Sequence, residues 1–134
     1  MATGATNPVK VLLVDDNDVT RSLLRGILVS ERYEMAGEAN NGEHGLEMVR
    51  RLKPDLACLD IDMPKVSGLE VLAKIKEEFP LIAVVMVTGS TERETVQAAI
   101  AGGADGYVVK PFNSARVLDT VAKAVAKMRA RKEA

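Results

Sequence analysis

Five short apolar runs, each stopping at a polar residue, recur along the chain, and between them apolar residues fall at helical spacing. The runs are Val9 to Val14, Glu34 to Ala39, Leu56 to Leu59, Ile82 to Val87 and Gly106 to Val109. The second is the weakest and reads as a strand nearer an edge; the others are apolar enough to be covered on both faces. Leu23, Leu24, Ile27 and Leu28 mark a helix over 18–31, with Asn17 or Asp18 as its cap. Leu46, Val49 and Leu52 mark a second helix that ends before Lys53-Pro54. Leu69, Leu72 and Ile75 follow Gly68 and lie on a third, ended by Pro80. Val96, Ala99 and Ile100 form the buried side of a fourth helix over 91–102, with Gly102 and Gly103 closing it through a left-handed cap. Val117, Leu118, Val121, Ala124, Val125 and Met128 stripe a last helix over 113–130.

Strands alternating with helices, with no repeat or linker, imply one α/β domain. The expected architecture is a five-stranded parallel sheet with helices on both faces, in the doubly wound, flavodoxin-like order 2-1-3-4-5. Residues 1–8 read as a flexible N-terminal tail, 9–130 as the domain and 131–134 as a C-terminal tail.

Parallel strands deliver all the loops that follow them to one edge, and ligands bind where the strand order reverses. That reversal falls between the first and third strands, which end at Asp15-Asp16 and at Asp60. Thr88 ends the fourth strand and Lys110 the fifth, on the same edge. Three clustered carboxylates repel one another, by about 4 kcal/mol per pair at ~4 Å and an effective dielectric near 20. Protonating one relieves this, and so does a hard divalent cation; Mg²⁺ suits an open, all-oxygen site. In such a pocket Asp60 can attack phosphorus to form an acyl phosphate. Lys110 can neutralise one phosphoryl oxygen and Thr88 can hydrogen-bond another.

Composition narrows the partners. Eighteen basic and nineteen acidic residues give a net charge of −1, which favours neither nucleic acid nor membrane. No apolar run reaches membrane-spanning length and the first residues carry no signal peptide, so a cytoplasmic location is expected. The one cysteine, Cys58, sits within an apolar run and reads as a small core residue, and His44 reads as a surface residue of a helix.

Val-Asp-Asp at 14–16, Leu-Asp-Ile-Asp-Met-Pro at 59–64, Val-Thr-Gly at 87–89 and Gly-Tyr-Val-Val-Lys-Pro-Phe at 106–112 together resemble the receiver domain of bacterial two-component response regulators. The likeness spans residues 9–128 and is nearest to the single-domain chemotaxis type. Any one of these motifs is common; all four in order, each at a strand end, are specific. The resemblance implies that Asp60 is the phosphoacceptor and that Asp15, Asp16, Asp60 and the backbone carbonyl of Asp62 hold Mg²⁺. It implies that Lys110 binds the phosphoryl group, that Thr88 is the switch hydroxyl, and that Tyr107 is the aromatic that turns inward with it. It implies a cis Lys110-Pro111 bond, which costs an X-Pro pair about 1 kcal/mol. Asp62, two residues past the acceptor, faces the same pocket and can repel or orient water there; Ser90, two past Thr88, leaves its side open.

The function implied is a response regulator that takes its phosphoryl group from a histidine kinase or phosphotransfer protein and catalyses only its own phosphorylation and dephosphorylation. Its target would bind the face of the fourth helix, fifth strand and fifth helix. About six residues follow position 128, too few for an output domain, so the expected output is a protein contact or onward transfer. Two other functions compete. One is a phosphohydrolase of the haloacid dehalogenase type, with Asp60 as nucleophile and Asp62 as general acid. It is opposed by Pro64, which stands where that family has Thr or Val, and by the lack of a cap or late acidic pair. The other is a binding module that is never phosphorylated, opposed by the intact acidic pair, threonine and lysine. Singly, each residue also has a plain reading: Asp15-Asp16 as a helix cap, Thr88 as a turn residue, Lys110 as a solvated lysine, Tyr107 as packing. Lys127, Arg129, Arg131 and Lys132 read as a solvated, basic helix end.

Overall fold

In a computed structural model that describes residues 7–134, the chain forms β1 (Lys10–Val14), α1 (Asp18–Ser30), β2 (Glu34–Ala39), α2 (Gly42–Leu52), β3 (Leu56–Leu59), α3 (Gly68–Glu78), β4 (Ala83–Thr88), α4 (Arg93–Ala101), β5 (Gly106–Val109) and α5 (Ser114–Glu133). All four strand pairings are parallel, as the alternation of strands and helices predicts, and the order is β2-β1-β3-β4-β5, the doubly wound order expected. Residues 1–6 of the expected N-terminal tail lie outside the described residues.

Side chains on successive strand residues point to opposite faces, so each central strand feeds two cores. On one face Val11, Leu13, Cys58 and Val85 pack against Leu24 and Leu28 of α1 and Val117 and Val121 of α5. On the other, Leu12, Val14, Leu59 and Met86 pack against Val49 of α2, Leu72 and Ile75 of α3 and Ala99 of α4. Each such aliphatic side chain, fully buried, contributes about 1.5–3 kcal/mol. With the sheet buried on both faces, its C-terminal edge becomes a rigid platform for whatever the strands end in.

Several sequence expectations are corrected in detail. Leu23 is 56% exposed and Ile100 62% exposed, so neither joins the buried stripe of its helix. A helix against a flat sheet buries one narrow strip, and the flanking apolar positions stay in solvent. Gly102 keeps a right-handed conformation and only Gly103, at φ 99°, takes the left-handed one. The last helix runs on to Glu133, past the boundary expected at 130, and its end is anchored: Arg131 pairs with buried Asp105 and Lys127 donates to the Asp105 carbonyl at 3.1 Å. Of the two candidate caps for α1, Asn17 does the capping, accepting from the Thr20 N–H at 2.9 Å. His44 lies exposed on α2, as expected.

Candidate functional site

Asp15 follows the last residue of β1, and its position is over-determined. Its N–H donates to the Ala39 carbonyl at 3.1 Å, extending the β1–β2 ladder by one rung. One carboxylate oxygen accepts the Asn17 N–H at 2.8 Å and the other accepts the Lys110 ammonium at 2.8 Å. Asp60 follows β3 in the same way. Its N–H donates to the Val14 carbonyl at 3.0 Å, which sets the two aspartates side by side across the point where the strand order reverses.

The Asp60 carboxylate accepts the Asp62 N–H at 3.1 Å through Oδ1 and the Lys110 ammonium at 3.1 Å through Oδ2. Both aspartates are almost fully buried, whereas Asp16 and Asp62 are exposed. Gly68 permits this arrangement. A Cβ there would lie 2.1 Å from the Asp60 carbonyl oxygen, so only glycine lets the start of α3 close against the residue that matters.

Lys110 comes from the far side of the sheet. Its N–H donates to the Thr88 carbonyl at 2.8 Å, and the Lys110-Pro111 bond is cis, as the resemblance implied. Burial works against the charge on this ammonium. The hydrogen bonds and charges of Asp15 and Asp60 outweigh it and hold its pKa above the ordinary lysine value. Burial pushes the Asp15 carboxyl up from its ordinary value, against the opposing pull of Lys110 and the Asn17 N–H.

Thr88, the last residue of β4, is fully buried. Its hydroxyl is 3.3 Å from Asp62 Oδ2 and accepts the Ser90 N–H at 3.4 Å. Tyr107 lies half-buried, its phenol donating to the Ser90 carbonyl at 2.8 Å. Asp15, Asp16, Asp60, Asp62, Thr88 and Lys110 thus lie along one edge, and one lysine touches two of the three clustered carboxylates.

The donor set fits a hard divalent cation. One carboxylate oxygen each from Asp15, Asp16 and Asp60 lie within 4.8 Å of one another, all the ligands are oxygens, and exposed Asp16 leaves the site open to water. One residue the sequence reading passed over belongs to this neighbourhood. Arg21 of α1 donates to the Asp15 carbonyl at 2.5 Å and pairs with Asp18 and Glu38. Its only sequence signal is a position three residues past Asp18 in the first turn of α1, the spacing of a helical ion pair.

Comparison with known proteins agrees with this geometry. Residues 11–122 match the family model described as the response regulator receiver domain. The chemotaxis protein CheY of Halobacterium salinarum is 42% identical over 112 residues, which cover 84% of this chain and 92% of that one. A CheY-like response regulator receiver domain protein from Methanospirillum hungatei superposes with a TM-score of 0.87 at 27% identity, covering 93% of this chain and 99% of the other. The CheY of a CheX–CheY–BeF₃–Mg complex from Borrelia burgdorferi superposes with a TM-score of 0.83 at 32% identity, over 85% of this chain and 87% of that one.

Proposed function

From the premise that this chain belongs to the response regulator receiver family, we propose that it is a phosphorylation switch in which Asp60 accepts a phosphoryl group from a histidine of a kinase or phosphotransfer protein. The observation that carries the reading is the lysine shared between two buried carboxylates from different strands, with a third carboxylate at their side. An Asp60 carboxylate oxygen attacks phosphorus, a P–O bond forms, the P–N bond to the donor imidazole breaks, and the imidazole leaves with its nitrogen lone pair. Lys110 moves from its carboxylate partners onto a phosphoryl oxygen, and the Thr88 hydroxyl turns from Asp62 to another. Asp15, Asp16, Asp60 and the Asp62 backbone carbonyl would hold Mg²⁺. When bound, that ion would supply positive charge for the phosphoryl oxygens and would lower the repulsion among the acids. The structure of a CheY relative in complex with BeF₃ and Mg supports the reading of a metal-dependent phosphoryl site.

Thr88 and Tyr107 form the switch. The Ser90 segment lies between them, accepting the phenol at its carbonyl and donating its N–H to the threonine, so a movement of Thr88 reaches the outer face of β5 and α4 directly. That face, with α5, is the proposed contact for a downstream protein. A relative, the CheY from Borrelia burgdorferi, is itself found in complex with another protein, CheX. Among the described residues no helix is long and apolar enough to cross a membrane. By likeness to the chemotaxis regulators, the proposed place of action is the cytoplasm. Residues 9–130 would make up the functional domain.

The haloacid-dehalogenase-like alternative is not favoured, since the family match spans the strand ends that hold the site. Incubation with Mg²⁺ and a small acyl-phosphate donor separates the readings. A switch takes up one phosphoryl group per chain, loses this in Asp60→Asn, and does not turn over phosphomonoesters. Sustained release of phosphate from such esters would overturn the switch, and labelling retained in Asp60→Asn would overturn the acceptor assignment.

A further inference from the structure

We infer that Arg21 is a positioning residue that sets the affinity of the acidic pair for a divalent cation by fixing the peptide from which Asp16 projects; this rests on the metal reading above. Arg21 is 15% exposed at its side chain, and each of its three guanidinium nitrogens has a different acceptor. One Nη donates to the Asp15 backbone carbonyl at 2.5 Å, the other pairs with the Asp18 carboxylate at the first turn of α1, and Nε reaches Glu38 of β2 at 3.3 Å. The planar, rigid guanidinium therefore ties the loop after β1 to the helix that follows it and to the neighbouring strand at once.

The consequence falls on Asp16. The Asp15 carbonyl belongs to the peptide unit that links Asp15 to Asp16, and that unit is planar. The other polar groups of Asp15 are already committed: its N–H to Ala39 and its carboxylate to Lys110 and Asn17. With its carbonyl also held, the peptide plane before Asp16 has a single orientation; the Asn17 N–H, bonded to the Asp15 carboxylate at 2.8 Å, holds the peptide after it, and the two together limit rotation about the Asp16 backbone and so the direction of its Cα–Cβ bond. Asp16 itself is exposed, so its own side chain supplies little restraint from packing. Glu38 is braced in turn by a second arginine, Arg25, which does not contact the loop backbone. Residues behind a metal ligand commonly change affinity by 10–100-fold when lost.

Electrostatics alone predicts the opposite sign. Arg21 is a cation close to a cation site, and removing it should tighten metal binding if charge were its only contribution. The test is a MgCl₂ titration followed by backbone amide chemical shifts at Asp16 and Asp60, in wild type, Arg21→Met, Arg21→Lys and Arg25→Met, with thermal unfolding of each variant measured in chelator. Arg21→Met is expected to bind Mg²⁺ about tenfold more weakly. Arg21→Lys, which keeps the charge and loses the fork, is expected to weaken it too. Arg25→Met is expected to lose comparable metal-free stability and keep wild-type affinity. Unchanged or tighter binding by folded Arg21→Met would overturn the inference, as would full affinity in Arg21→Lys. Absence of any Mg²⁺ response in the wild type would overturn the metal reading itself.

Discussion

The hydroxyl of Thr88 is directed at the carboxylate of Asp62, 3.3 Å away, and not at Asp60. For Thr88 to reach a phosphoryl group on Asp60 this contact has to break, and the exposed negative charge of Asp62 also opposes an anionic group arriving beside it. A hydrogen bond of this kind contributes about 0.5–1.5 kcal/mol. Asp62→Ala is therefore expected to raise the affinity for beryllofluoride in the presence of Mg²⁺ by about fivefold, that being the factor for about 1 kcal/mol. Titration with the anion at fixed metal, monitored at the Thr88 and Ser90 amides, checks this.

Lys110 carries the pairing of two buried acids. Replacing it by methionine leaves the Asp15 and Asp60 carboxylates without their cation, and the expected loss of stability at neutral pH is about 2–3 kcal/mol, below the range for fully buried pairs because the lysine side chain is 23% exposed. Its pKa is raised in the folded state, so its contribution is complete below the unfolded value of 10.5 and is lost as pH rises through the folded one. In the variant Asp15 loses the lysine that lowers its pKa while burial still raises it, so its protonation should narrow the gap from wild type as pH falls. Urea unfolding of both proteins across pH in chelator measures it.

Asp105, at the opposite end of the sheet, is the other buried charge. Burial opposes its ionisation, but Arg131, the Val84 N–H and Lys76 outweigh that and hold its pKa below the ordinary value of 3.8. The sign is therefore the reverse of Lys110: its stabilisation is complete above that value and is lost as pH falls through the lower folded one. Asp105→Ala should cost about 3 kcal/mol at pH 7, since it leaves two cations short of a partner. The difference from wild type should shrink in strong acid, and equilibrium unfolding at neutral and low pH reads both.

Cys58 lies two residues before the proposed acceptor, yet it is inert. Burial pushes its thiol up to about 12, so it stays protonated across the whole working range. Thiol reagents at pH 8 are expected to modify it only after unfolding, and rapid modification of the folded chain would contradict the burial of β3. Alkylation followed by intact mass, with and without denaturant, distinguishes the two.

The parts of the fold and site legible in the sequence are those that depend on order along the chain. Val9 to Val14, Leu56 to Leu59 and Ile82 to Val87 announce buried strands by being apolar throughout, and their alternation with helices makes the sheet parallel, with 2-1-3-4-5 as the expected doubly wound order. Because parallel strands share one exit edge, Asp15, Asp16, Asp60, Thr88 and Lys110 could be placed together before any coordinates. Contacts that depend on side chains meeting across elements were not legible. Nothing local marks Asp105 as the partner of Lys76 and Arg131, since they lie on separate elements, α3 and α5. Arg21 reads as an ordinary surface residue until Glu38 and the Asp15 carbonyl are seen beside it. Leu23 and Ile100 have the right spacing for a core, but spacing gives a direction around a helix and not the width of the contact beneath it.

The most direct test of the central assignment is chemical mapping of the acceptor. The chain is phosphorylated with a small acyl-phosphate donor and Mg²⁺, the acyl phosphate is reduced with borohydride to the stable alcohol, and peptides are sequenced by mass spectrometry. The expected result is a single modified residue, Asp60, with no modification when the metal is chelated. Reduction at Asp15, Asp16 or Asp62 instead, or no modified residue with metal present, would contradict it.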